Sequence, residues 1–416
     1  MRVFKFGGAS VKDARGVKNL TRIVKLHIEK PLIVVVSAMG KSTNLLEKIS
    51  DFSHRKSKIN QADIDSFSQF HKSIISDLFE LDHEVFKELD VLVAELSEKL
   101  LLYSDKPYDF YYDQVVSYGE MISTRILHHY LLSQGVKCNW LSAGDLIKTN
   151  SNYRDGRIDW EKSSIAASNI KVESGEVMLT QGFLGQSDDG SVTTLGREGS
   201  DYSAAILAYI FNADEVVIWK DVPGLLNADP RVFSDTIKLD EISFKEAIEL
   251  SYYGATVIHP KTLQPLKEKS LPLFVKSFEE IEATGSKISN NEAFDKNVAS
   301  YILKQDQILL SITPPDLTFV VEENLSHIFS VFAEFKVKIH LMQNSALNFS
   351  VCVDNDKRKI PKLIEALSKS YRVLFNDGLA LLTVRHYSEA LLDELIKDKK
   401  VFVEQKTRNT ARFVYR

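Results

Sequence analysis

Lys5, Gly7 and Gly8 end a short apolar run at residues 3–6, and Ala9 and Ser10 follow them. Glycines after a strand let backbone N–H groups approach a phosphate, and a helix beginning near Val11 or Asp13 would add the positive potential of its N-terminus. The Lys5 ammonium could then stand against a transferring phosphoryl group. A second glycine-rich stretch, Gly196-Arg197-Glu198-Gly199-Ser200-Asp201, also leads into a helical pattern, with Ser200 or Asp201 as the expected N-cap. Arg197 offers a planar fork suited to a carboxylate. Glu120 follows Gly119 near the expected start of a helix at 117–132, where the helix dipole by itself favours a carboxylate. Ser37 closes an apolar strand, with Thr43 and Asn44 in the loop beyond it. Asp221, Asp229-Pro230-Arg231 and His259-Pro260-Lys261 stand in three later turns.

Other chemistries are excluded by spacing. Gly40-Lys41-Ser42 resembles the end of a P-loop, but the first glycine that motif requires is Val35 here, inside a strand. No G-x-G-x-x-G with a following acidic residue occurs, and no H-R-D or D-F-G. His259 has no second histidine at ligand spacing, so no protein metal site is expected. Cys138 and Cys352 read as two buried thiols of a reducing compartment. The net charge of −5 gives no bulk attraction to nucleic acid or anionic membrane. The N-terminus turns at its glycine pair before a signal-peptide core could form, and the longest apolar run, 32–39, is too short to span a bilayer. A cytoplasmic protein is expected.

The elements that must carry these residues alternate. Continuous or β-branched runs at 3–6, 32–36, 137–141, 177–181, 215–220 and 273–276 read as strands, and helical patterns follow Ser117, Asp201 and Ser243. Between 44 and 103, Phe67, Phe70, Ile74 and Leu78 share one helical face, as do Phe86, Leu89, Val93, Leu96 and Leu100, so several helices are expected there. Such alternation implies an α/β fold with a mostly parallel sheet and helices on both faces, and ligands beyond the carboxyl ends of the strands. After about residue 290 short strands (307–312, 337–342, 349–353, 379–384) alternate with amphipathic helices (322–335, 360–368, 388–396), an α+β region of two similar units. With 416 residues the chain reads as two portions, 1–290 and 291–416.

Taken together these segments resemble the aspartate kinases within the amino-acid kinase family. The resemblance rests on Lys5 to Val11, Val36-Ser37-Ala38-Met39-Gly40 with Thr43-Asn44, Ser117-Tyr118-Gly119-Glu120 and Gly182-Phe183. It continues with Thr193 to Ala204, Trp219-Lys220-Asp221-Val222-Pro223-Gly224, Ala228-Asp229-Pro230-Arg231 and Tyr253 to Lys261. It implies transfer of the ATP γ-phosphoryl group, with Mg²⁺, to the β-carboxylate of L-aspartate, the first step towards lysine, threonine and methionine. A carboxylate nucleophile is already ionised at neutral pH and needs no general base. The resemblance puts Lys5 and Asp201 in catalysis. It puts Ser37, Thr43, Glu120, Arg197, Glu198, Gly199 and Ser200 at aspartate, Arg197 on the α-carboxylate and Glu120 on the α-ammonium. Lys5, Phe6, Gly7, Gly8, Ser10, Lys220, Asp221, Leu226, Arg231, Thr256, Val257 and Lys261 fall to ATP.

Three positions depart from the family's pattern. Lys220 stands where many relatives have Thr, Thr256 where many have Lys, and Glu198 where Gly is frequent. The tail resembles paired ACT modules that bind an end-product amino acid, lysine and/or threonine, and join subunits into a homodimer or higher homo-oligomer. The second module is expected to be abbreviated. Met342, Gln343, Asn344 and Ser345 are the implied effector contacts, and His340 stands where a lysine-inhibited enzyme often has Asp. No dehydrogenase portion follows the tail, which implies a monofunctional enzyme. The competing readings are a sister kinase acting on glutamate or acetylglutamate, and a catalytically silent amino-acid sensor.

Overall fold

The computed structural model describes residues 1–56, 58–255, 258–315 and 318–416. Thr256 and Val257 therefore lie outside the described residues. The chain forms two compact units. The first comprises Met1–Leu225, Lys238–Ile248 and Ile258–Glu292, and the second Leu226–Ile237, Glu249–Val257 and Ala293–Arg416.

The first unit is built on an eight-stranded sheet. Its order is Glu241–Ser243, Ser286–Ser289, Leu273–Ser277, Glu215–Lys220, Arg2–Phe6, Leu32–Val36, Glu176–Gln181 and Lys137–Trp140. Every pairing is parallel except that of Leu273–Ser277 with Ser286–Ser289. All five residues of Leu32–Val36 are buried, as a β-branched run covered on both faces requires. In Arg2–Phe6 the faces alternate. Phe4 and Phe6 turn to Trp219, Phe6 stacking on its ring at 6.1 Å, so Phe6 is a core side chain and only its backbone can reach a ligand. Lys5 points to the opposite face, and because it pairs with Ile218, Lys220 shares that face.

Parallel register lines up the strand ends. Phe6 is level with Val36 and Trp219, and Val36 with Gln181. The segments after Phe6, Val36, Gln181 and Lys220 therefore leave the sheet along one edge.

The expected helical stretch consists of Ser42–Lys56, Gln61–Ser76 and Val85–Leu102, with Phe67, Leu89, Leu96 and Leu100 buried. Fully burying such a side chain contributes about 1.5–3 kcal/mol. Thr43 and Asn44 are therefore in a first helical turn, where Ser42 Oγ donates to Met39 O, and not in a loop. The helix expected at 117–132 runs over Tyr108–Ser133, starting two turns earlier just after Pro107. Apolar periodicity missed that start because the first turns carry Tyr, Asp and Gln that are themselves buried. A small hairpin, Leu184–Gln186 with Val192–Thr194, was also missed.

The second unit contains one antiparallel six-stranded sheet, ordered Ile339–Asn344, Phe349–Asp354, Ser300–Thr313, Arg372–Arg385, Thr410–Tyr415 and Val401–Lys406. The two central strands have 14 residues each and run through both halves of the sheet. Helices Glu322–Glu334 and Ile360–Leu367 cover one half and Glu389–Ile396 the other, with separate apolar clusters beneath them. The expected short strands at 307–312 and 379–384 are thus parts of two longer ones. Among the described residues no helix is long and apolar enough to cross a membrane.

Candidate active site

Lys5, one residue before the end of its strand, has its ammonium 2.6 Å from Asp201 Oδ1, and both residues are buried. The contact is an ion pair without the alignment of a directed hydrogen bond. Lys220, from the neighbouring strand, places its ammonium 3.5 Å from Asp201 Oδ2. Burial alone would raise the Asp201 pKa, but Lys5 and then Lys220 hold it below the ordinary carboxylate value. Asp201 lies in the first turn of helix Gly199–Ile210, whose N-terminus also favours its charge. The result is two ammonium groups held around one buried carboxylate at the strand ends.

The glycine turn packs against the loop that follows Val36. Ser10 N donates to Gly7 O, Gly40 N to Gly8 O, and Ser37 N to Phe6 O. A Cβ on Gly8 would stand 2.6 Å from Ala38 O and 2.9 Å from Gly40 O, so glycine is required by this approach. A Cβ on Gly7 would meet the Lys5 ammonium at 3.3 Å. Ser10 is buried, and helix Ala14–His27 begins just beyond, capped by Asp13 accepting from Gly16 N at 2.8 Å.

Glu120 lies in the middle of helix Tyr108–Ser133, so its carboxylate is not explained by a helix N-terminus. Oε1 accepts a hydrogen bond from Ala38 N at 3.3 Å, while the buried Oε2 has no partner among the described residues. Burial, only partly offset by the Ala38 donor, raises its pKa to about 8. Gly119 makes the approach possible, since a Cβ there would come within 2.9 Å of Ala38 Cβ. Thr43 is half-buried at the start of the adjoining helix.

Arg197 is exposed and has no ion pair or hydrogen bond among the described residues. The N-cap of its helix is Glu198, not Ser200 or Asp201. Glu198 adopts a left-handed backbone, φ 55°, which costs a residue with a Cβ about 1–2 kcal/mol. Its exposed carboxylate accepts from His259 N at 3.0 Å, which gives the added charge one partner in the protein. Gly199 fits against Phe183, whose Cδ2 would be 2.5 Å from an added Cβ, and half-buried Ser200 packs on Gly182.

The residues expected at ATP divide. Lys261 pairs with Asp155 at 2.6 Å and donates to Leu195 O at 3.1 Å, at the base of the Arg197 loop. Asp221 is exposed in its turn. Leu226 and Arg231 belong to the second unit, where Arg231 is held by Asp229 at 2.7 Å. In that unit Met342, Gln343 and Asn344 end the edge strand, exposed, and Ser345 turns back with its N–H on Asn348 O. His340 Nε2 stands 2.8 Å from Asp354 Oδ2, and burial lowers its pKa, only partly countered by that carboxylate.

Sequence reasoning passed over Asp113, fully buried two turns before Glu120 on the same helix face. It accepts from Arg154 N at 2.9 Å, Thr194 N at 2.8 Å and Thr194 Oγ1 at 2.7 Å. Burial raises its pKa to about 6 against the pull of those donors. The available signal was a spacing of seven between two carboxylates.

The amino acid kinase family model matches residues 1–277. The chain is 30% identical over 394 residues to lysine-sensitive aspartokinase 3 of Escherichia coli, covering 92% of this chain and 86% of that one. It is 27% identical to a bifunctional aspartokinase/homoserine dehydrogenase of Buchnera aphidicola, of which it spans 47%. The structure of E. coli aspartokinase III in complex with aspartate and ADP superposes with a TM-score of 0.80 at 26% identity, covering all of this chain and 96% of that one. The chain belongs to the amino acid kinase family and, within it, to the aspartokinases.

Proposed function

We propose that this aspartate kinase transfers the γ-phosphoryl group of ATP to the β-carboxylate of L-aspartate with the residues described above. The observation that carries this reading is the convergence of Lys5 and Lys220 on buried Asp201 beside the glycine turn. Two cations there can neutralise charge building on phosphoryl oxygens, which is the main task in phosphoryl transfer. Asp201 orients both and is not required as a base, since the acceptor carboxylate is already ionised. The unpartnered Glu120 oxygen suits an α-ammonium, and exposed Arg197 an α-carboxylate. Those two preferences favour a free amino acid over acetylglutamate.

Mg²⁺ fits as an ion carried on the ATP phosphates. The described residues offer no cluster of three or more metal-ligating side chains, and Mg²⁺ commonly needs only one or two carboxylates besides phosphate and water. Its chemistry would be to neutralise phosphate charge, and buried Asp201 is the carboxylate that would hold it.

The second unit is read as a pair of ACT-like modules in a cytoplasmic, feedback-controlled homo-oligomer. Lysine sensitivity in the E. coli relative supports an amino-acid effector, and the exposed edge strand Ile339–Asn344 supports pairing with another subunit. Titrating activity with lysine, threonine and methionine, singly and paired, identifies the effector.

The test of function is hydroxylamine trapping with ATP, Mg²⁺ and aspartate. Aspartyl hydroxamate should form, and Lys5→Ala should lower kcat about 10²–10³-fold, as removal of a transition-state charge donor does. Unchanged turnover in Lys5→Ala would sink the role given to Lys5. Product from glutamate but not aspartate would favour a sister kinase.

A further inference from the structure

The helix Tyr108–Ser133 touches the candidate substrate site twice. Glu120 meets the loop after Val36 through Ala38 N. Seven residues earlier, nearly two turns and about 10 Å along the axis, Asp113 meets the segments that carry Arg197. Both residues are buried, and spacing by seven puts them on one face.

The hydrogen bonds of Asp113 reach two separate segments, the loop at Arg154 and the end of strand Val192–Thr194. Oδ2 accepts from Arg154 N and Thr194 N, and Oδ1 from Thr194 Oγ1. Gly156 N donates to Thr194 O, so the two segments are also tied to each other. Gln114 repeats the grip one residue on, donating to Val192 O at 2.8 Å and accepting from Val192 N at 3.3 Å. Strand Val192–Thr194 is thus pinned to the helix by side chains that act like a neighbouring strand.

From Thr194 the chain has little freedom before Arg197. Leu195 N donates to Phe183 O, and Leu195 O accepts from Lys261. Gly196, at φ 76°, has Asp155 Oδ1 only 3.1 Å from where a Cβ would stand, and Asp155 is paired with Lys261. Arg154, the residue held by Asp113, adjoins Asp155. Asp113 therefore fixes both the start of the Arg197 loop and the wall against which it turns.

We infer that Asp113 is a positioning residue that sets the distance between the Glu120 carboxylate and the Arg197 loop, and thereby the fit of the amino-acid substrate. This rests on the reading that Glu120 and Arg197 hold aspartate. Asp113 touches no substrate. It acts through Thr194 and Arg154, with the helix as a rigid spacer between the two ends of the acceptor.

The experiment uses the full chain in three variants, Asp113→Ala, Asp113→Asn and Thr194→Val, with separate KM values for aspartate and ATP and with the melting temperature. Asp113→Ala should raise KM for aspartate at least tenfold and leave KM for ATP within twofold. Asp113→Asn should stay within threefold, because its carbonyl can take both N–H groups while its amide donates to the Thr194 hydroxyl. Thr194→Val, which keeps volume and loses one donor, should fall between them, and it decides the matter if Asp113→Ala does not fold. An unchanged KM for aspartate in Thr194→Val and Asp113→Ala overturns the inference. So does a parallel rise of both KM values tracking lost stability. Failure of the wild-type chain to form aspartyl hydroxamate overturns the aspartate reading instead.

Discussion

In its proposed role at the α-ammonium, Glu120 is the group through which pH should act on substrate binding. Its carboxyl is buried, takes one backbone hydrogen bond, leaves one oxygen without a partner, and has its pKa raised to about 8. With that value about one molecule in ten carries ionised Glu120 at pH 7, and about one in a hundred at pH 6. An α-ammonium binds the ionised form, so aspartate must displace a proton, at a cost on the order of 1 kcal/mol at pH 7. KM for aspartate should fall about ninefold from pH 6 to 7, about fivefold from 7 to 8, and level off above, while KM for ATP stays nearly flat. Calorimetry in buffers of different ionisation enthalpy should show close to one proton released per aspartate at pH 7. Glu120→Gln should bind aspartate weakly and lose this dependence. The same shift acts on stability. A carboxyl whose folded pKa is raised contributes stability present below its unfolded value and lost as pH rises through its folded value. The window here is about pH 4.5 to 8, and the loss about 5 kcal/mol. Glu120→Gln should therefore unfold at higher denaturant than the wild type at pH 9. A wild-type KM for aspartate that is constant from pH 6 to 8.5, with no proton release, refutes the reasoning.

Lys220→Met removes the second cation that keeps Asp201 ionised against burial. Asp201 is depressed in the folded state, so its contribution is lost as pH falls through its folded pKa, and the substitution moves that loss upward. The acid limb of kcat should shift to higher pH; an unmoved limb would separate Lys220 from Asp201. Gly8→Ala drives a Cβ into two backbone carbonyls that cannot swing aside. It should destabilise by about 1–3 kcal/mol in urea titration and lower turnover more than tenfold. A Gly8→Ala enzyme with wild-type stability would show that the turn is looser than its geometry.

The sequence by itself determined the features that depend on short-range physics. A β-branched run buried on both faces makes Leu32–Val36 a strand, and glycine pairs end strands because they bend without a Cβ. Order and spacing of those segments were enough to read an α/β sheet with a site at its carboxyl edge. The places of Lys5, Asp201 and Arg197 at element boundaries were legible because each sits within a residue or two of such punctuation. What tertiary structure decided is which distant groups meet. Lys220 joins Lys5 because parallel register sets Lys5 beside Ile218, a pairing no local pattern reveals. Glu120 is mid-helix because the helix starts at Tyr108, and its contact with Ala38 N needs the close approach that Gly119 admits. Asp113 was invisible for the same reason, its three donors lying 41 and 81 residues away. Local preference acts over a few residues, whereas the charge, desolvation and hydrogen bonding of a buried carboxylate depend on whatever the folded chain packs around it.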